Sequence, residues 1–214
     1  MNCRLSKKLL ELFEQRARQT RPEKFKPSPS KEEILEFTQA HGIDLRDDHL
    51  QFLMKYGGGF IETYYGTNSF EDFKDYYLDP DEASVRLNNE QITPPGSTYF
   101  SFDPYGEATA INNKKGHLGD FYGADGIDNI HYCNIDSLLF CYYSDNYEFF
   151  KFFKSVDSKL LSKEIIENYK TKYRSYKIEE IYYFNSNFYY VDGNLISLTQ
   201  HTYTKYSGGI LDLI

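Results

Sequence analysis

The sequence predicts a mixed protein of α-helices and β-strands, and three observations carry that expectation. Apolar residues recur at helical spacing over 5–13, 30–56 and 158–173. Short aromatic-rich runs separated by turn residues follow the glycines at 57–59. Near the C-terminus, Asp192-Gly193 stands between two such runs as a tight hairpin turn.

The elements follow in order. Leu5, Leu9, Leu12 and Phe13 share one face of an amphipathic first helix. RPEKFKPSPS (21–30) comes next, and its three prolines make it a linker. Ser30 and Glu33 have capping-box spacing, each able to satisfy a backbone donor of the other. Ile34, Leu35 and Phe37 form the apolar face of the helix they open, and His41-Gly42 ends it with Gly42 free to turn left-handed. Asp47 is expected to cap a second helix whose buried stripe is Leu50, Phe52, Leu53 and Tyr56. KYGGGF (55–60) ends that helix. Gly57 is expected to take a left-handed exit, and Gly58 and Gly59 to turn the chain into a strand starting near Phe60.

Beyond the glycines, FIETYYG (60–66) and STYFSFD (97–103) read as strands, with TPPG (93–96) a turn before the second. DPYGEATAINNKKG (103–116) reads as turn, strand and turn. Between the two strands, the acid-rich NSFEDFKDYYLDPDEASVRLNNE (68–90) is expected to be a loop with a short helix. Residues 158–173 read as a helix through Leu161, Ile165 and Tyr169, and IYYFNSNFYYVDGNLISL (181–198) as strands. No internal repeat marks a solenoid.

Bulk composition narrows the function classes. The 214 residues suffice for one sizeable core, and 21 Tyr and 17 Phe with no Trp allow it to be built from large rings. With 32 acidic against 24 basic residues the net charge is −8, which argues against non-specific binding to nucleic acid or an anionic membrane. The same charge fits a basic protein partner. No apolar run approaches bilayer length, and the N-terminus lacks the apolar core and cleavage site of a secretory signal, so a cytoplasmic protein is expected. Cys3, Cys133 and Cys141 leave an odd thiol and suit a reducing compartment, although spacing alone leaves a Cys133–Cys141 bridge open.

Each chemical motif has a plainer reading beside it. A phosphate-binding loop needs spaced glycines after a strand and a Lys-Ser or Lys-Thr at a helix start. The glycines at 57–59 follow a helix, at the negative end of its dipole, so helix termination outweighs a phosphate cradle. His131, Cys133 and Cys141 lack the paired short spacing of a zinc site, and buried thiols with a satisfied histidine are the commoner outcome. Asp120, Asp125 and Asp128 in GDFYGADGIDN (119–129) miss the alternation and closing Glu of a calcium loop and read as a solvated turn. His41, His49, His117, His131 and His201 sit in no recognisable nucleophile, zinc-protease or deaminase context. No catalytic residue, metal or cofactor is expected.

The stretch EILEFTQAHGIDLRDDHLQFLMKYGGGF (33–60) resembles the opening of the SUKH superfamily, the SMI1/KNR4-like proteins. The resemblance rests on Glu33, Ile34 and Phe37, then Gly42 and Leu45, then Phe52, Leu53, Tyr56, Gly57, Gly58 and Gly59. Arg46 stands where such proteins often have Pro, and Tyr56-Gly57 where Asn-Gly is common. FSFDPYGEATAI (100–111) and IHYCNIDSLLFCYY (130–143) are more weakly similar to later family segments, and the last sixty or so residues are not covered. The resemblance implies an α+β fold, a curved antiparallel β-sheet with helices packed around it. It further implies a non-catalytic binding protein of the bacterial immunity type, which occludes a cognate toxin, often a nuclease. An intracellular scaffold of the same fold and a divergent enzyme are the rival readings.

The organisation expected is an N-terminal helix and Pro-rich linker over 1–29, a SUKH-like domain over 30–157, and a helix-and-hairpin extension over 158–214 packed on the same domain. Glu71, Asp72, Asp75, Asp79, Asp81 and Glu82, interleaved with Tyr76 and Tyr77, form the expected partner-binding segment. Acids facing a basic toxin would speed encounter and set specificity, with the rings as anchors. The plainer reading is a solvated acidic face whose rings point into the core.

Overall fold

A computed structural model describes residues 3–63, 66–78, 93–102, 108–121, 127–183 and 186–214. The chain divides into two compact units, Glu23–Ile135 and the pairing of Met1–Pro22 with Asp136–Ile214.

In the first of these units, α2 (Lys31–Ala40) opens on the expected capping box. Ser30 Oγ accepts from the Glu33 N–H at 3.2 Å, and the Glu33 carboxylate accepts from the Ser30 N–H at 2.7 Å. These bonds hold the Glu33 carboxyl below its ordinary range. Gly42 takes the left-handed φ of +64° after the helix, as its position requires. Helix α3 (Asp47–Tyr56) buries Leu50, Phe52, Leu53 and Tyr56, the stripe read from spacing, and with them His49.

The start and end of α3 differ from expectation. Its cap residue is Arg46, with no side-chain cap bond, and Asp47 is the first helical residue. Arg46 is tied down instead by the Asp48 carboxylate, at 2.8 and 3.0 Å, and donates to the Asn113 carbonyl at 2.6 Å. Gly57 is right-handed, with φ −65°, and it is Gly59 that carries a positive φ, +92°. The glycines serve close approach. A Cβ at Gly58 would stand 2.6 Å from the Pro27 carbonyl oxygen and 2.7 Å from that of Lys26. The Gly58 N–H donates to Ser28 Oγ at 3.3 Å, and Phe25 packs on Phe60 with ring centroids 4.6 Å apart. The proline-rich segment, with a single 3-10 turn at Pro22–Lys24, therefore lies directly against the glycines.

Strand β1 (Gly58–Thr63) pairs antiparallel with β2 (Gly66–Ser69), and α4 (Phe70–Leu78) follows at once. Then β3 (Ser97–Phe102), β4 (Ala108–Asn112), β5 (Leu118–Phe121) and β6 (Ile127–Tyr132) pair antiparallel in that order. Register shifts between Tyr99 and Ser101 and along β5–β6 are irregularities of the kind that bend a sheet. Phe100 of β3 meets Phe52 and His49 of α3, each with centroids 5.0 Å apart, which joins the helices to the strands through aromatic packing.

In the other unit, α1 (Cys3–Thr20) buries Leu9, Phe13 and Ala17 completely. Phe13 packs among Phe140 and Tyr143 of α5 (Ile135–Asp145) and Phe152, with centroids 4.8–5.6 Å away. The one-turn helix α6 (Tyr147–Phe150) closes on Lys151, whose φ is +54°. Five antiparallel strands run in the order β8 (Lys177–Tyr183), β9 (Ser186–Val191), β10 (Asn194–Leu198), β11 (Thr202–Ser207) and β7 (Ser155–Leu160). Asp192-Gly193 joins β9 to β10 with φ of +48° and +74°, the tight turn read from the sequence. One sheet face packs Phe188 on Phe140. The other packs Tyr189, Ile196 and Leu198 on Ile166 of α7 (Lys163–Lys172).

Three expectations fail in this unit. Residues 158–160 are strand, because α7 starts only after its cap Ser162. Ile166 is the buried isoleucine of α7, whereas Ile165 is 44% exposed. Strand β11 was not anticipated, since TYTKYS lacks apolar alternation and is held by cross-strand pairing on both sides.

Candidate functional site

The acidic segment singled out in the sequence is half described. Asp79, Asp81 and Glu82 lie outside the described residues, while Glu71, Asp72, Asp75, Tyr76 and Tyr77 lie on α4. The helix begins with a reciprocal cap. Ser69 Oγ accepts from the Asp72 N–H at 3.0 Å, and the Asp72 carboxylate accepts from the Ser69 N–H at 3.2 Å and from its hydroxyl. The Ser-x-x-Asp spacing is readable in NSFED, so this cap was available to sequence reasoning and was missed. Asp72 is thus spent on its own helix start.

The rings of α4 turn inward. Phe70, Phe73 and Tyr76 are buried, and Tyr76 stacks on Tyr99 of β3 with centroids 3.8 Å apart and planes within 4°. The Tyr76 hydroxyl lies 3.1 Å from Thr93 Oγ1, and the Tyr77 hydroxyl oxygen accepts the Tyr99 N–H at 3.1 Å. Burial raises the Tyr76 phenol and pushes that of Tyr77 up to about 12, so both remain neutral donors at neutral pH.

What α4 leaves outside is acidic. The Glu71 side chain is 75% exposed, and Asp75 is exposed with Leu78 beside it at the helix end. Lys74 pairs with Glu71 at 2.8 Å and lies 5.1 Å over the Phe70 ring. Helix α2 adds to the same patch. Phe37 packs on Phe70 and Phe73, with centroids 5.9 and 6.2 Å apart, and Glu33 lies near enough to Lys74 to feel its charge. Glu33 and Glu71 therefore share one lysine, an arrangement across α2 and α4 that no local window of the sequence contains.

The residues that tempted a catalytic or metal reading fall elsewhere. Asp120 is a buried residue of β5, contrary to the solvated turn expected of it, and its carboxylate is hydrogen-bonded to His131 Nε2 of β6 at 2.6 Å. Asp120 Oδ1 has no hydrogen-bond partner among the described residues. Asp125 lies outside the described residues. Cys133 and Cys141 are thiols rather than a bridge. Among the described residues no group of three His, Cys, Asp or Glu side chains could hold a metal ion. A cavity of about 290 Å³ in the other unit, lined in part by Leu12, Arg16, Lys151, Phe152 and Ile210, offers two cations but no acid, histidine or thiol. No helix among the described residues is long and apolar enough to cross a membrane.

A family model described as SMI1 / KNR4 family (SUKH-1) matches residues 28–136, just over half of the 214 residues. Comparisons with curated proteins and with solved structures yield no match. The matched span runs from the linker before α2 through β6 and contains the capping box, the α3 stripe, the glycines and α4. The helices, the glycine turn and the antiparallel strands that follow are thus the family's own portion of the fold, and the chain belongs to the SMI1/KNR4 family (SUKH-1).

Proposed function

We propose that this protein acts by stoichiometric binding, as an immunity protein that neutralises a cognate toxin by covering its active site or substrate groove. The family supports protein–protein binding as the mode of action. The observation that carries the reading further is the sorting of α4, with aromatic rings inside and Glu71 and Asp75 outside, alongside Glu33 of α2. Such a surface is complementary to a basic protein, and a nuclease toxin presents one because it must hold phosphates. The rings then serve as a rigid floor beneath the acids, which lowers the ordering cost of binding.

The test is co-expression with the toxin encoded beside this protein's gene, followed by calorimetric titration of the purified pair. Protection of the cells and a one-to-one complex are expected. Reversing Glu71 and Asp75 to lysine should weaken the complex mainly through the association rate, and lower the melting temperature only slightly, through the lost Glu71–Lys74 pair and the reversed charge in the first turn of α4. A chain that protects against no neighbouring toxin refutes the immunity role, and unchanged association in the charge-reversed variant refutes this surface.

A further inference from the structure

Strand β7 lies at the edge of its sheet, paired with β11 alone among the described strands. Its six residues run opposite β11 in six consecutive pairs with no register shift, and none is proline. All are exposed except Val156, which is partly buried, and Leu160 is 84% exposed. A regular, open edge ending in an exposed leucine lacks the bulges and prolines by which proteins block edge pairing, and its one lysine, Lys159, is matched by Asp157.

Its charges are arranged for self-pairing. Asp157 and Lys159 flank Ser158 on one face of the strand and lie 2.8 Å apart. Val156, Ser158 and Leu160 occupy the other face. A two-fold axis perpendicular to the sheet opposes each strand residue i to the copy's residue on the other side of the axis. With the axis at Ser158, Asp157 meets Lys159 of the second copy twice, and Val156 meets Leu160 twice. The cross-strand rows extend this match. Asp157 already faces Lys205 on β11, and Val156 faces the buried Tyr206. The row across the junction therefore reads Lys205, Asp157 and the copy's Lys159 on one face, and Tyr206, Val156 and the copy's Leu160 on the other. Placing the axis at Asp157 or Lys159 loses both matches.

We propose that a second copy of this chain pairs antiparallel with β7 about Ser158, continuing the sheet from one copy into the next. Opposite charges directly across an antiparallel pair are favourable and like charges unfavourable, and symmetry counts each substitution twice.

Sedimentation equilibrium of the full chain over a concentration series tests this. The parent should show a reversible monomer–dimer equilibrium. Asp157→Lys alone, which sets lysine against lysine, and Lys159→Asp alone, which sets aspartate against aspartate, should each weaken dimerisation about tenfold or more. The double swap Asp157→Lys/Lys159→Asp restores both pairs and should restore the dimer. Both positions are exposed, so circular dichroism should stay at the parent's; Lys159→Asp, which faces Tyr203, should keep the parent's melting temperature, Asp157→Lys should lower it slightly because it faces Lys205 in its own chain, and Leu160→Glu should weaken the dimer by an independent route. A monomeric parent, single variants that dimerise like the parent, or a double swap that stays as weak as the singles would each overturn the proposal.

Discussion

Replacing His49 with leucine should flatten the protein's loss of stability in mild acid. His49 is completely buried on α3, its ring 5.0 Å from that of Phe100 and 5.6 Å from that of Phe73. Neither ring nitrogen has a hydrogen-bond partner among the described residues. Desolvation pushes its pKa down from 6.5 to about 3, with the nearby Asp48 opposing and Arg46 adding to the shift. The folded protein thus holds the imidazole neutral, while the unfolded chain takes up a proton as the pH falls through 6.5. Stability from this site is full above that value and drains away towards about 3. From about pH 7 to about pH 5 the unfolded state gains roughly 1.4 log units of proton binding that the folded state lacks, or about 2 kcal/mol. Asp145 works in the opposite direction, because desolvation raises its carboxyl to about 6, but its side chain is exposed and solvent screening shrinks the effect. The difference between parent and His49→Leu isolates the histidine from such groups. Urea denaturation followed by far-ultraviolet circular dichroism at several pH values reads that difference directly. Leucine should also be the more stable at neutral pH, since a buried imidazole with an unmet donor costs about 1–3 kcal/mol. A variant with the parent's pH dependence, or a His49 ring signal titrating near 6.5 in the folded protein, would refute the reasoning.

Other perturbations follow from the same packing. Gly58→Ala should destabilise the fold by about 1–3 kcal/mol in urea denaturation, because its methyl group meets two carbonyl oxygens of the proline-rich segment; an unchanged midpoint would mean that this segment does not lie on the glycines. Phe13→Ala should cost about 3–5 kcal/mol by the same measurement, since Phe13 is wholly buried among Phe140, Tyr143 and Phe152. Ser30→Ala should cost about 1 kcal/mol by the same measurement through loss of the hydroxyl cap, while the Glu33 carboxyl, still held by the Ser30 backbone N–H, should stay below its ordinary pKa in a carboxyl titration by nuclear magnetic resonance.

Local rules made much of the family portion legible. Ser30 and Glu33 cap α2 because their spacing alone brings the two groups together, and Leu50, Phe52, Leu53 and Tyr56 bury one face because helical periodicity puts them there. Asp192-Gly193 turns β9 into β10 because few residue pairs accept positive φ at both positions. Where a residue's role depends on something distant, the local reading failed. The glycines looked like a helix exit, yet the need of Gly58 for a bare Cα comes from Lys26 and Pro27, some thirty residues earlier. Asp120 looked like a turn acid because aspartate among glycines is usually solvated, but β6 brings His131 to it.

The sequence by itself determined α2 and α3 of the family portion, the capping box that opens α2 and the aromatic character of the core, because these depend on neighbours within a turn or two of chain. Only the tertiary structure decided which side of α4 each residue faces, that Glu33 joins Glu71 at Lys74, that His49 is sealed between rings, and that TYTKYS becomes a strand with β7 at the open edge. Burial and cross-strand pairing are set by partners far away in the chain, and a polar strand flanked by two others needs no apolar alternation to hold its place.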